Sequence, residues 1–235
     1  WDAPRRTELA SAFERSGLPF ADASWEHVDD TVEAYADGWV QQHEDACEAT
    51  RRGEQSSTLL DLRMACLDRR RTELQVLLDQ MAIGGAGVIE RSATAADTMR
   101  PPASCSDTQR LLDRNDLEPR PRTEAVIDID TAIARADASF RLGEYTDGLA
   151  EADRAYAQAT ALGHQPLQLE AQYQQGHLHS ALGEFDSAEA ELSQVAWDAE
   201  AAGLDPLSAR ASTECVLVVG YHLQRHAESL VWAGP

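Results

Sequence analysis

Apolar residues recur at intervals of three and four along most of the chain, which is the spacing of one face of an α-helix. The longest run begins at Trp25 and continues through Val28 and Val32, with Ser24 as a suitable N-cap and Gly53 as a suitable stop. No strand-like alternation or hairpin turn competes with it. The pattern predicts an all-α protein. Helices are expected near residues 4–16, 24–52, 57–83, 86–99, 107–112, 122–142, 147–162, 166–182, 185–202, 206–223 and from 227 onward.

The sequence pattern of one helical hairpin occurs twice in the second half of the chain. Each copy turns at a Leu-Gly-Glu-aromatic sequence, first at Leu142–Tyr145 and again at Leu182–Phe185, 40 residues later. A third copy is expected to turn at Gln224–His226, without the glycine and the aromatic residue. A period of this size is typical of stacked helical units. The pattern therefore favours a short α-α superhelix, or solenoid, in this half.

The chain is interrupted before these repeats. Pro101-Pro102 excludes a continuous helix, and the polar segment Arg114–Pro121 contains two further prolines. We expect a domain boundary there, between an N-terminal helical bundle at 1–114 and repeats at 122–235. The repeats are expected at 122–163, 166–203 and 206–235, the last of them truncated. Because the chain starts at Trp1 rather than Met and stops within a repeat, we expect it to be a piece of a longer protein.

The charge of the chain restricts its partners. The 235 residues include 41 Asp and Glu against 20 basic residues, all of them Arg, and the formal net charge is −21. Such a surface repels phosphate groups, which argues against nucleic acid and anionic membranes as partners. A basic peptide or protein suits it, although a merely solvated acidic surface explains the same charge. No apolar run approaches the ~20 residues of a membrane-spanning helix.

Four cysteines, Cys47, Cys66, Cys105 and Cys215, lie outside any C-x-x-C pattern, which argues against structural zinc. Cys47 and Cys66 lie at similar distances from the predicted turn at 53–57, so they face each other across that hairpin at a separation that a disulfide tolerates. They form the candidate disulfide. The alternative is that both are small buried apolar residues. A bridge would indicate an oxidising compartment.

The sequence offers no strong catalytic or metal-binding pattern. His222 and His226 have the spacing of a metal-binding pair on a helix, but no third ligand is evident, and surface histidines are the more frequent explanation. Gly84–Gly87 follows a predicted helix rather than a strand, so it is interpreted as a loop and not as a phosphate cradle. No G-x-S-x-G elbow marks a nucleophile. We therefore expect no catalytic residue, no metal and no cofactor.

The repeated turns have the sequences Gly143-x-Tyr145-x-x-Gly148 and Gly183-x-Phe185-x-x-Ala188, and Pro166 and Pro206 stand at the starts of new copies. This pattern resembles tetratricopeptide repeats. Gly176 falls at the small-residue position of the family, where the two helices of a hairpin pack closely. The period exceeds the ~34 residues typical of the family, which implies longer helices. The third copy departs from the motif at its turn.

In tetratricopeptide arrays the first helix of each repeat lines a concave groove in which peptides lie. The resemblance therefore implies a groove here with acidic and aromatic side chains, a combination that suits peptide recognition. The residues implied at the groove are Asp130, Ile133, Asp137, Phe140, Arg141, Glu170, Tyr173, His177, Glu214, Val218 and Tyr221. The alternative is that several of them, above all Ile133, Phe140 and Val218, are core residues.

A second resemblance rests on four stretches of the sequence, Ala46–Thr50, Arg52–Gln55, Leu60–Arg70 and Leu217–Tyr221. They are similar to the region that follows the membrane segment in large bacterial serine/threonine protein kinases ending in tetratricopeptide repeats. This resemblance implies a parent with a kinase domain and one membrane helix. It places the present segment outside the cytoplasm, with a cytoplasmic location as the alternative. The kinase motifs H-R-D and D-F-G are absent, so we expect no phosphoryl transfer by this chain.

These observations predict a non-catalytic module that binds a protein or a peptide and serves as sensor or scaffold of such a kinase. A function of a different class is also open. In that alternative the chain is a structural spacer or a self-association domain that forms a homo-oligomer, and its groove holds no ligand.

Overall fold

The computed structural model describes residues 1–113 and 123–233, and this part of the chain is all-α, with no strand. The contacts of the chain divide it into two compact units, Trp1–Pro121 with Arg141–Gly143 and Arg122–Phe140 with Glu144–Pro235. The segment expected as the domain boundary, 114–121, lies outside the described residues.

The first unit is built from long helices joined by short links. Its elements are α1 (Ala3–Arg15), α2 (Ala21–Arg51), α3 (Ser57–Ile83), α4 (Ala86–Asp97), the 3₁₀-helix Pro102–Ser106 and α5 (Thr108–Asp113). Ser56 caps α3, since its hydroxyl accepts a hydrogen bond from the N–H of Leu59 at 3.1 Å. α2 begins at Ala21, ahead of the predicted cap Ser24, and no side chain caps it.

Side chains that reach across the α2–α3 hairpin fix its antiparallel register. The indole of Trp39 donates to the carbonyl oxygen of Leu67 at 2.7 Å, and the hydroxyl of Tyr35 donates to that of Arg70 at 3.2 Å. Tyr35 is buried, so its hydroxyl needs these acceptors to compensate for the lost water. Residues 35–39 of α2 therefore lie at the level of residues 67–70 of α3.

This register contradicts the predicted disulfide between Cys47 and Cys66. Cys66 is bonded to Cys105, with the two Cα atoms 5.7 Å apart, and Cys47 is a half-buried free thiol. Because Trp39 lies opposite Leu67, Cys47 is about 10 Å further along α2 than the level of Cys66. Cys105 reaches Cys66 because the 3₁₀-helix that carries it packs against α3.

The second unit is a series of consecutive helices. They are α6 (Glu124–Leu142), α7 (Tyr145–Leu162), α8 (Gln165–Leu182), α9 (Phe185–Ala201), α10 (Asp205–Cys215) with its π-helical continuation Val216–His222, α11 (His226–Ser229) and the 3₁₀-turn Leu230–Trp232. The helices predicted between 122 and 202 are confirmed to within a few residues. Gly183 ends α8 with a φ of 81°, the left-handed conformation that glycine adopts without strain.

Small residues allow neighbouring helices of this series to approach closely. A Cβ added at Gly176 would lie 2.7 Å from Cγ of Leu192 on α9, and one at Gly148 would lie 2.9 Å from Cδ2 of Leu178 on α8. Neither position has room for a side chain. The close helix contact predicted at Gly176 is thereby confirmed.

Each helix of the series from α7 to α10 packs against the next one along the chain, and α6 joins them through a shared core. That core consists mainly of alanine and leucine, whose modest size suits closely spaced helices. Its buried members in α6 to α8 are Ile129, Ala132, Ala136, Ala152, Ala155, Ala159, Leu167, Ala171 and Leu178. Those in α8 to α10 and the π-helical segment include Leu169, Tyr173, Ala188, Leu192, Val195, Ala211 and Val218.

Candidate functional site

The helices that open successive hairpins, α6, α8 and α10, bring part of the predicted groove together. Tyr173 on α8 is only 4% exposed. The guanidinium carbon of Arg210 on α10 lies 4.1 Å from the centroid of the Tyr173 ring. Nη1 of the same arginine is 3.3 Å from Oε2 of Glu170. A cation–π contact and an ion pair therefore join α8 to α10 at this point.

A second set of contacts surrounds His177, one helical turn after Tyr173. The His177 ring centroid is 3.7 Å from that of Phe140 and 5.5 Å from that of Tyr173. Its Nε2 is 3.7 Å from Oε1 of Glu214. The charge of Asp137 acts on both Tyr173 and Arg210. The residues joined in this way, called here the first-helix cluster, are Asp137, Phe140, Glu170, Tyr173, His177, Arg210 and Glu214.

Burial changes the protonation equilibria of the cluster. It raises the pKa of Glu214 above its ordinary value, while the charge of Arg210 opposes the shift. Burial also raises the pKa of the Tyr173 phenol. Burial of Arg210 acts to lower its pKa, but Glu170, Tyr173 and Asp137 together outweigh this effect and the net pKa is raised. The cluster thus holds a permanent cation among carboxylates, of which Glu214 is costly to ionise.

Replacing Glu214 by glutamine is expected to reduce the dependence of stability on pH. A carboxyl whose pKa is raised by folding binds its proton more tightly in the folded state than in the unfolded state. It therefore stabilises the fold below its ordinary pKa, and this contribution is lost as the pH rises through the raised value. In urea unfolding, the stability of E214Q relative to wild type should increase between about pH 4 and pH 7.

Glu200→Gln is the matched control for this measurement, because Glu200 is an exposed glutamate on α9. It removes the same charge from the surface of the same unit. The difference in unfolding free energy between E200Q and wild type should stay nearly constant over this pH range. An equally constant difference for E214Q would contradict the assigned burial of that carboxyl.

Five other predicted groove residues are outside the cluster. One of them, Asp130, is half-buried on α6. Arg141, whose contacts group it with the first unit, donates to the carbonyl and hydroxyl oxygens of Thr98, both at 2.7 Å. Tyr221 is 68% exposed on the π-helical segment. Val218 is fully buried in the core, as the alternative interpretation assumed, and Ile133 packs against the core of α6 to α8.

Arg210 is the member of the cluster that the sequence analysis missed. Asp130, Glu170 and Arg210 occupy the same position in three successive copies of the repeat, since each follows the previous one by 40 residues. Equivalent positions of neighbouring hairpins lie side by side when hairpins stack. The change from an acidic to a basic residue at this position was therefore the signal for the Glu170–Arg210 ion pair.

The two histidines with metal-ligand spacing are separated by a turn of the chain. His222 ends the π-helical segment, and its ring stacks on Phe185 with 4.2 Å between centroids. His226 begins α11, and Gln224 between them has a φ of 59°. The two imidazoles therefore do not share a helix face. In the described part of the chain no three side chains of metal-ligating type come together.

A comparison of the chain with protein-family models, with curated proteins and with solved structures found no match. Within residues 1–113 and 123–233, no helix combines the length and the apolar character needed to cross a membrane.

Proposed function

We propose that the second unit is a protein-binding module of the tetratricopeptide type and that the first-helix cluster is its recognition surface. One observation carries the proposal. All seven side chains of the cluster come from α6, α8 and α10, the first helices of consecutive hairpins. In a stack of hairpins these helices share one face, and a solenoid presents that face to its ligand.

The charges of the cluster favour a ligand with a basic side chain. Asp137, Glu170 and Glu214 supply three carboxylates, while Arg210 is the permanent cation that faces them. Glu214 has lost part of its hydration, and a guanidinium or ammonium group of the ligand would stabilise its charged form. The net charge of −21 would also speed the approach of a basic partner.

The parent that we propose for this module is a membrane-anchored bacterial serine/threonine protein kinase. The module would act as its sensor or scaffold and would contribute no catalysis of its own. Binding would influence the kinase by favouring one of its conformational or oligomeric states. The Cys66–Cys105 disulfide supports an oxidising, extracytoplasmic compartment for this segment, because such bonds persist there and are rare in the cytosol.

A pair of short peptides tests the proposal by calorimetry. An amidated, acetylated peptide with alternating Ala and Arg should bind saturably, and the same peptide with Glu in place of Arg should not. Because a lost hydrogen bond to a charged group costs about 1.5–3 kcal/mol, E214Q should weaken binding of the Arg peptide about tenfold or more. Its folding should be at least as stable as that of wild type at pH 7, for the reason given above.

Glu200→Gln again serves as the control, because it removes one negative charge, as E214Q does, but away from the cluster. The proposal requires E200Q to bind the Arg peptide nearly as tightly as wild type does. Equal weakening by E214Q and E200Q would mean that the peptide responds only to overall charge. That result, or no saturable binding, would exclude the cluster as a recognition surface.

Self-association is the second candidate, and exposed apolar side chains favour it. Trp197 is 53% exposed and its ring centroid lies 5.1 Å from that of Trp232, while Leu230 is 70% exposed. Exposed apolar groups of this size often mark interaction surfaces. Under this candidate, sedimentation would show a dimer that Trp197→Ser dissociates, and the Arg peptide would not bind.

A further inference from the structure

A cavity of about 540 Å³ lies in the first unit, and its lining contains no residue of the first-helix cluster. Cavities of this size hold small organic ligands. α1, α2 and α3 contribute to its walls together with the two residues that precede α1. Its lining consists of Trp1, Asp2, Arg5, Tyr35, Ala36, Trp39, Val40, Arg71, Leu74, Gln75, Leu78 and Asp79.

The aromatic walls of the cavity are held in place by hydrogen bonds. The hydroxyl of Tyr35 donates to the carbonyl oxygens of Arg70 and Arg100, and the indole N–H of Trp39 donates to a carbonyl of α3. The indole N–H of Trp1 donates to Asp29 at 2.8 Å. The polar ends of these rings are therefore satisfied by protein groups, and the rings offer apolar surface to a ligand.

Two arginines line the cavity, and they differ in how firmly they are held. Arg5 is bound by the carboxylates of Glu8 and Asp79. Arg71 pairs with Asp68, three residues earlier on the same helix, at 3.3 Å, and its side chain is 56% exposed. An exposed pair of this type contributes little to stability, so the carboxylate of a ligand can replace it.

The two carboxylates that line the cavity, those of Asp2 and Asp79, already bind groups of the protein. Asp79 binds Arg5, and the carboxylate of Asp2 accepts the backbone N–H of Arg5 at 3.0 Å as the N-cap of α1. Both carboxylates therefore already have protein donors. The Arg71 guanidinium carbon lies 5.9 Å from the Trp39 ring centroid, and this arginine forms the exposed ion pair with Asp68. Of the charged groups in the lining, the Arg71 cation is the one best placed for a ligand.

We propose that this cavity binds a small organic acid whose aromatic or bulky aliphatic group packs on Trp39 and whose carboxylate pairs with Arg71. The apolar part of such a ligand would displace water from the wall formed by Tyr35, Leu74 and Leu78. Its carboxylate would form a charge-assisted, bidentate pair with the guanidinium, which lysine would not reproduce. The site is independent of the first-helix cluster and does not rest on the function proposed for it.

Three probes that differ only in their polar group test this site on the whole chain. They are 3-phenylpropanoate, 3-phenylpropanamide and 3-phenylpropylammonium, titrated by saturation-transfer NMR. For a ligand with about eleven heavy atoms and ordinary ligand efficiency, the acid should bind with a Kd on the order of 4 mM or tighter. The neutral amide should bind about tenfold more weakly, and the ammonium more weakly still.

Arg71→Gln should weaken binding of the acid about tenfold and leave binding of the amide unchanged. Arg51→Gln removes the same charge from an exposed position on α2, and it should affect neither probe. Leu74→Trp fills the cavity from a half-buried position and should weaken the acid and the amide together. The proposal is overturned if the acid shows no saturable binding, if the ammonium binds as tightly as the acid, or if R71Q leaves the affinity for the acid unchanged.

Discussion

Replacing both Cys66 and Cys105 by alanine is expected to lower the free energy of unfolding of the first unit by about 4 kcal/mol. The disulfide closes a loop with a sequence separation of 39 residues, and loop-closure entropy for that length gives this figure. The loop includes α4 and most of α3, so its closure restricts a large part of the unfolded chain. Hydrogen exchange of the α2 and α3 amides, followed by mass spectrometry, measures the effect for this unit alone.

Two controls distinguish the effect of losing the disulfide bond from the effect of losing a cysteine side chain. Cys47→Ala removes the half-buried free cysteine and should change the stability by less than about 1 kcal/mol. A reducing agent should destabilise the wild type but not the double variant. If reduction leaves wild-type exchange unchanged, or if C47A is as damaging as the double variant, the assigned pairing is wrong.

Replacing Leu192 by alanine should destabilise the second unit by about 2–5 kcal/mol. Leu192 is fully buried in the core shared by α8, α9 and α10, and it fills the space left open by Gly176. Its loss would leave a cavity at the contact that joins α8 to α9. Exchange of the α8 and α9 amides, measured as for the first unit, would report the change.

Leu162→Ala is the matched control, because Leu162 is the exposed last residue of α7. The same substitution there should cost less than about 1 kcal/mol. Similar costs at the two positions would show that the second unit lacks the tight helix contact around Gly176. The close stacking of α8 and α9 would then be refuted.

The sequence predicted the helices well where local signals act alone. Ser56 before α3 and Gly183 after α8 fix the ends of these helices by capping and by backbone conformation, which depend on neighbouring residues only. The start of α2 was missed because no side chain caps it, so that no local signal marks Ala21. The prediction therefore failed where packing, and not the local sequence, sets the boundary.

The disulfide was predicted wrongly because the geometry of one hairpin does not determine which cysteines pair. The prediction for Cys66 used only the two helices next to a turn, whereas its true partner, Cys105, follows a helix that lies between them in sequence. The 3₁₀-helix returns to α3 through tertiary packing, which no spacing of residues encodes. Pairing over such a distance cannot be deduced from the sequence alone.

Six of the seven residues of the first-helix cluster were implied by the tetratricopeptide resemblance, and only Arg210 was missed. The expected phase identified Tyr173, His177 and Glu214, and these side chains do come together. It failed for Tyr221, because that residue lies on the π-helical segment Val216–His222. A π-helix has more residues per turn than an α-helix, so the face expected from an α-helical phase is shifted there. Side-chain burial also had to be known before the pKa of Glu214 was found to be raised.

The most direct test of the proposed recognition surface is amide chemical-shift mapping of the ¹⁵N-labelled chain during titration with the Ala-Arg peptide. The largest changes at saturation should fall on α6, α8 and α10 around Tyr173 and Glu214, and E214Q should need about tenfold more peptide, or more still, to reach them. Changes centred on the exposed acidic residues of α7 and α9, or spread evenly over the acidic surface, would contradict a binding face built from the first helices.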